Sequence, residues 1–382
     1  MESKTNQTTK KEQQNKFDPY APHKIKWWGW PLLILLIIGT VYIFRTNHGK
    51  SASEPVGTAW KTAEIQRCEG SVFGTFYHIT YETPANLQIG IEDVLQQVDN
   101  SLSPFNDHSV ITAINNNTDM RVDSMFKEVF ELSMQVAAAT GGAFDITVAP
   151  LVNLWGFGFR NMDNVSDEKV DSLLEYVGID KVRLVGEKKE SARVFSYQIQ
   201  KDYPQTMLDC SAIAKGYGVD AVGKYLENQG VSNYMVEIGG EVRVRGWNPK
   251  GELWKVGINK PNDDPEGINS ELEEILQVTQ LSMATSGNYR NFYEKDGKKY
   301  AHTIDPRTGF PIQHSLLSAT VLAQDCATAD AYATAFMVLG MDEAKEVLSQ
   351  HHELMAFFIY ADESGNTQTW HTESLDNMIV KQ

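Results

Sequence analysis

The sequence predicts an α+β fold: one mixed α/β domain over residues 63–382, carried behind an N-terminal transmembrane helix. Three observations point there. Helical and strand patterns follow one another without the strict βαβ repeat that marks a parallel sheet. A composition of 42% hydrophobic and 22% charged residues in a chain of 382 supplies a sizeable core. One uncharged run, "WWGWPLLILLIIGTVYIF" from Trp27 to Phe44, stands apart from everything after it and is close to the shortest helix that spans a bilayer.

Residues 1–26 are polar, lysine-rich and aperiodic, which reads as a disordered tail. In the run over 27–44, Trp27, Trp28 and Trp30 would sit at one membrane interface and Tyr42 near the other. Six lysines precede it, and only Arg45 and Lys50 follow closely. That bias puts the tail in the cytoplasm and the body outside, as for a single-pass protein of a bacterial inner membrane with its domain in the periplasm. A cleaved signal peptide is the competing reading, with Ser51-Ala52-Ser53 as a weak cleavage site. Residues 45–62 read as a linker.

In the body, "SVFGTFYHITYE" (71–82) alternates as a strand, while 88–103 and 124–140 space their apolar residues as amphipathic helices. A helix near 167–177 follows, then strands near 181–185 and 193–200 and a strand running into "TMLDC" (206–210). Residues 211–230 are helical in pattern. "YMVEIGGEVRVRG" reads as two strands around Gly239-Gly240, and 253–260 as another. Strands near 274–284 and 316–323 bracket a loop-rich insertion. The "QDCATADAYATAFMVLG" helix comes next, with Asp325 as its cap and Gly340 as its stop. A helix at 342–351 and strands near 355–360 and 367–371 close the chain.

Charge narrows the function classes. The net charge of −16 hides an N-terminal excess: residues 1–50 sum to +5, leaving −21 for the other 332. A body so acidic is a poor partner for nucleic-acid phosphates. Cys68, Cys210 and Cys326 are odd in number and show no metal spacing, so buried or free thiols are expected.

Four stretches could carry chemistry. "TGGAFDITVAPLVNLWGFG" (140–158) has glycines for close backbone approach and Phe144, Trp155 and Phe157 to flank an aromatic ring. Asp145 is a lone acid in apolar company, and the plainer account is a helix stop followed by a core strand. In "LDCSAIAKGYGVD" (208–220) a strand ends at Asp209 and a helix begins. Its free N–H groups and Lys215 could hold an anion, unless they are a cap and a surface lysine. "YAHTIDPRTGFP" (300–311) places His302 before a turn, as a structural histidine or as a general base. Asp330 and Thr334, at i and i+4, share one helical face in a buried helix. They would either hydrogen-bond internally or supply oxygens to Mg²⁺, which keeps few protein ligands.

Taken in order, "SLSPFNDHSVITAIN", "TGGAFDITVAPLVNLWGFG", "DCSAIAKGYGVD", "EIGGEVRVRG", "ATSGNYRNFY", "HTIDPRTG" and "ATADAYATA" resemble the FAD:protein FMN transferases, the ApbE family, from about residue 70 to 360. The resemblance implies a catalytic domain of the ApbE type. It would transfer FMN from FAD to a Thr or Ser of another protein, with Mg²⁺ required and AMP released. It implies that Asp330, Thr334 and the Ala212 carbonyl hold Mg²⁺, and that His302 deprotonates the acceptor hydroxyl. Ala143, Phe144, Asp145, Asp209, Lys215 and Ile304 match positions that contact FAD, as do Phe73 and Phe105. Phe73 stands where the family usually has methionine before Gly-Thr. The implied partners are FAD and acceptors such as flavinylated subunits of membrane redox pumps, with no nucleic acid. A FAD pyrophosphatase and a non-catalytic, membrane-tethered flavin-binding protein are the alternatives. The chain carries no Ser/Thr-Gly-Ala-Thr acceptor sequence of its own.

Overall fold

Tight turns decide where this chain departs from its sequence pattern. A computed structural model describes residues 64–159, 165–188, 195–261, 271–288, 292–295 and 298–381, which belong to one unit, Ala63–Gln382. The predicted tail, anchor and linker lie outside the described residues. Among the described residues no helix is long and apolar enough to cross a membrane.

The first departure is at the start. The single strand expected over 71–82 is a hairpin of β1 (Ile65–Val72) and β2 (Thr75–Glu82). Phe73 and Gly74 take positive φ, 52° and 74°, and close a two-residue turn of the kind that matches strand twist. A phenylalanine in the position usually given to asparagine or glycine hides that turn from the sequence. Helices α1 (Gln88–Leu102) and α3 (Ser124–Ala139) fall where the spacing puts them, on either side of the unforeseen α2 (Val110–Asn115) and the short β3 (Arg121–Val122). Ser109 and Asp123 cap α2 and α3 by accepting the Thr112 and Phe126 N–H groups.

The core strand expected after α3 does not form. The chain turns at Gly141-Gly142 and enters α4 (Ala149–Leu154), with Pro150 in the first turn, where no amide proton is needed. The strand expected over 206–210 is likewise reduced to an isolated bridge, Val148 to Met207. A buried side-chain amide pins it instead: Asn115 donates to the Leu208 carbonyl at 2.8 Å and accepts the Leu208 N–H at 2.7 Å.

Next come α5 (Asp167–Leu174), β4 (Val182–Lys188), β5 (Phe195–Lys201), α6 (Ala214–Asn228), β6 (Tyr234–Ile238), β7 (Glu241–Arg245) and β8 (Trp254–Asn259), close to their expected ranges. The strand read over 274–284 is two, β9 (Leu272–Val278) and β10 (Leu281–Gly287), turned at Gln280 with φ 52°. Then follow β11 (Phe292–Lys295), β12 (Lys298–Ala301), β13 (Leu316–Ala323), α7 (Cys326–Gln350), β14 (Met355–Ala361) and β15 (Thr367–His371). Both helices read over 326–351 are in α7, joined through a break at Gly340 with φ 75° and ψ −177°, a backbone essentially reserved for glycine.

Eight strands form an antiparallel sheet in the order β1-β2-β6-β7-β10-β13-β14-β15, which makes the fold α+β. Helices α6 and α7 cover one face. The β8–β9 hairpin covers part of the other, packing Trp254, Val256 and Leu276 on Val242, Val244 and Phe357. Strand β7, "EVRVR", shows how period-two alternation divides the work. Its valines face the hairpin, and its charged residues face α6 as a ladder. Arg245 pairs with Glu227 at 3.0 Å, Arg243 with Asp220 at 2.6 Å, and Glu241 with Lys215 at 2.5 Å. The first two rungs put the acid on the helix; the third reverses. The second Asp220 oxygen accepts the Ala327 N–H and so holds the start of α7, beside the Asp325 cap on Thr328. Cys68, Cys210 and Cys326 are buried free thiols, as their odd number predicts.

Candidate active site

Where α6 meets α7, a side chain would not fit. A Cβ on Gly216 would stand 2.3 Å from the Cys326 carbonyl oxygen and 2.8 Å from the Asp330 Cβ. Because none is there, the Gly216 N–H reaches Asp330 Oδ2 at 2.9 Å. Asp330, only 3% exposed, is thereby anchored through one oxygen. Among the described residues its Oδ1 takes no hydrogen bond, and it lies 3.9 Å from Lys215 Nζ. One turn on, the Thr334 hydroxyl meets the Ser286 hydroxyl of β10 at 3.1 Å.

A cavity of about 1100 Å³ opens beside these groups. Ala212, Lys215, Asp330, Thr334 and His302 line it, with Phe105, Ala143, Phe144, Asp145, Asp209 and Ile304. Five separate chain segments thus supply one site. Phe73 is not among the lining residues, which departs from its expected flavin contact: its ring packs on Gly218 of α6, 2.7 Å from where a Cβ there would stand. Of the aromatics read as ring flanks, Phe144 and Phe157 line the cavity, whereas Trp155 does not and donates its indole N–H to the Gly309 carbonyl at 2.8 Å. That bond ties the 140–158 stretch to the turn after His302. Phe157 then meets the His302 ring edge to face, 6.4 Å between centroids.

The acids divide by what already occupies them. Asp145 Oδ1 accepts the Thr147 N–H and hydroxyl, and its Oδ2 accepts the Ile179 N–H at 2.7 Å. Burial pushes its carboxyl above the usual range while these bonds pull it back. Asp209 accepts the Ser211 N–H and hydroxyl through one oxygen, and burial raises it too. Nor is the start of α6 a row of free donors, as the sequence suggested. The Ala214 N–H goes to the Cys210 carbonyl and the Gly216 N–H to Asp330. The charged group this segment offers an anion is the Lys215 ammonium. Burial lowers its pKa, but Asp330 and Glu241 outweigh burial and raise it, so the lysine is charged.

Among the described residues no cluster of three or more His, Cys, Asp or Glu side chains could hold a metal by itself. The donors present are hard oxygens: Asp330 Oδ1, the Thr334 and Ser286 hydroxyls and the nearby Ala212 backbone. Such a set fits Mg²⁺, which keeps waters and takes substrate oxygens, better than zinc, which wants sulfur or imidazole.

The model of the ApbE family matches residues 73–358 of this chain. The chain belongs to the ApbE family. It is 36% identical over 318 residues to the FAD:protein FMN transferase of Haemophilus influenzae, covering 80% of this chain and 89% of that one. To the Escherichia coli K12 protein of the same name it is 33% identical over 329 residues, 84% of this chain and 90% of that one. Its fold is similar to the flavin transferase ApbE from Vibrio cholerae, with TM-score 0.71 and 34% identity over 83% of this chain and 99% of that one. It also resembles the apo flavinyl transferase ApbE of Pseudomonas stutzeri, with TM-score 0.72 and 30% identity over 83% and 97%. The mixed α/β architecture is therefore of the ApbE type.

This ApbE site holds two acids outside the expected set, Glu237, which accepts the Gly240 N–H, and Glu241. Glu241, 2% exposed, follows the Gly239-Gly240 turn and also lines the cavity. Its Oε1 takes the Lys215 ammonium, and its buried Oε2 finds no hydrogen-bond partner. Burial raises its carboxyl against the pull of Lys215. The signal was in "EVRVR": strand alternation puts Glu241 on the arginine face, toward α6.

Proposed function

We propose that this chain is a FAD:protein FMN transferase, attaching FMN from FAD through a phosphoester bond to a Thr or Ser of a target protein and releasing AMP. One observation carries the reading: His302, Lys215 and the oxygens of Asp330 and Thr334 line a single cavity in an ApbE-family chain. Lys215 would hold the diphosphate of FAD by charge, and Phe144 and Phe157 offer apolar surface to the rings. Asp330 Oδ1, the Thr334 hydroxyl and the Ala212 carbonyl would hold Mg²⁺. Bound there, the cation would offset diphosphate charge and stabilise charge on the transferring phosphoryl group.

His302 would take the proton of the acceptor hydroxyl as its oxygen bonds to the FMN phosphorus. The bond from that phosphorus to the bridging oxygen breaks, and AMP carries the electron pair away. Such a transfer asks chiefly for positioning and charge stabilisation, which a rigid sheet and two abutting helices can supply.

Incubation of the full chain with FAD, Mg²⁺ and an acceptor bearing Ser/Thr-Gly-Ala-Thr tests the reading. The expected result is an acceptor heavier by FMN, fluorescent, with one AMP per acceptor. FMN and AMP appearing at full rate without acceptor would make it a FAD pyrophosphatase, and FAD retained without turnover a flavin-binding protein.

The same reading places the chain in a bacterial inner membrane through residues 27–44, with tail 1–26 in the cytoplasm and the body in the periplasm. The lysine asymmetry and the tryptophan cluster support it. A reporter phosphatase that is active only in the periplasm, fused to the C-terminus, should be active; a silent fusion of normal abundance would reverse the topology.

A further inference from the structure

Lys215 lies between two buried carboxylates. Its ammonium is 2.5 Å from Glu241 Oε1 and 3.9 Å from Asp330 Oδ1. The acids around it bind backbone N–H groups of other residues: Asp145 binds Ile179, Asp209 binds Ser211, Asp220 binds Ala327, Glu237 binds Gly240 and Asp330 binds Gly216. The Glu241 side chain has Lys215 as its hydrogen-bond partner and nothing on Oε2. A buried carboxylate with an empty oxygen is costly to keep, so its one contact must account for its place. The rung is also reversed relative to its neighbours, where the helix supplies the acid to Arg243 and Arg245.

From this geometry we infer that Glu241 is a positioning residue that draws the Lys215 ammonium away from Asp330, leaving Asp330 Oδ1 free for a divalent cation. The inference rests on the metal reading of Asp330 given above. With Glu241 in place, the ammonium is held at Glu241 Oε1, and the lysine still lines the cavity. Without the Glu241 charge, the ammonium has one carboxylate left to satisfy it. A small rotation of a flexible side chain closes the 3.9 Å gap, and the lysine becomes an internal cation competing for the same oxygen.

Direct metal binding tests this without reference to catalysis. Mn²⁺ is titrated into the full chain, and free Mn²⁺ is read by electron paramagnetic resonance, with circular dichroism as the check on folding. Glu241→Gln should weaken Mn²⁺ binding about tenfold, and the double variant Glu241→Gln/Lys215→Met should return to within about twofold of the parent. Lys215→Met alone should bind Mn²⁺ at least as tightly as the parent, and this variant stands in if Glu241→Gln does not fold. Unchanged binding in Glu241→Gln overturns the inference. So does a double variant as weak as the single one, which would make Glu241 itself a ligand. Weakened binding in Lys215→Met overturns it as well. Absence of Mn²⁺ binding in the parent removes the metal reading together with the inference, whereas the other failures leave that reading standing.

Discussion

Asp330→Asn is expected to lower flavin transfer by about 10²–10³-fold with little change in thermal unfolding. The two effects separate because the two oxygens of Asp330 have different work. Oδ2 accepts the Gly216 N–H, and an asparagine carbonyl oxygen can accept that same bond at 2.9 Å. The junction of α6 and α7 therefore keeps its buried hydrogen bond, and the loss to stability stays near the ~1 kcal/mol between a charged and a neutral acceptor. Oδ1 has no hydrogen bond to lose. Its charge is what a divalent cation would require, and a neutral amide presents either a weaker dipole or an N–H in its place. Alanine confounds the two roles, because it also leaves the Gly216 N–H unpaired in a buried junction. The measurement is single-turnover transfer against Mg²⁺ concentration, beside a melting curve. Full activity at low Mg²⁺ would retire Asp330 as a ligand, and a collapse of the melt would make it a structural acid.

The second large effect is expected at His302. His302→Gln should slow transfer by about 10²–10⁴-fold, the range for removing a general base, while FAD affinity stays within about threefold. The imidazole follows β12 and lines the cavity with Phe157 against its ring at 6.4 Å. The turn beyond it has hydrogen bonds of its own. Asp305 binds the Arg307 guanidinium and accepts the Gly309 N–H through its carbonyl, and Thr303 donates to Asn288. Replacing the ring should thus leave the loop in place and remove proton transfer. Flavin fluorescence gives the affinity, and rapid mixing with acceptor gives the transfer rate. A rate that falls only in proportion to FAD binding would make His302 a contact residue.

Much of the site was legible before the fold. Asp330 and Thr334 are separated by one helical turn in a run of alanines, and His302 precedes a turn signal. Both are local patterns, and the structure brings these residues to one cavity. The errors were also local in origin. Phe73 and Gln280 turn the chain with φ of 52° at residue types that seldom adopt it, so the β1–β2 hairpin and the passage from β9 to β10, which lie in different sheets, each carry the pattern of a single strand. Residues 141–148 and 206–210 look like core strands because they are apolar. They share only the Val148–Met207 bridge and the Asp209 N–H to Ile146 carbonyl bond at 2.7 Å, and the Asn115 amide and Asp145 carboxylate take up neighbouring backbone groups at Leu208 and Thr147.

Periodicity and composition alone settle the long helices, most strands, the acidic body and the residue types of the site, but not the six-residue helices α2 and α4, which are too short to show a period. Tertiary structure decided which charges are spent and which are free. Asp145 is consumed by the backbone of Thr147 and Ile179, Asp330 keeps one oxygen, and Glu241 enters the site beside Lys215. The partners of Lys215 and Gly216 lie 26 and 114 residues along the chain. No local pattern encodes those pairings: they exist because a glycine lets two helices touch and strand alternation aims one glutamate at the helix.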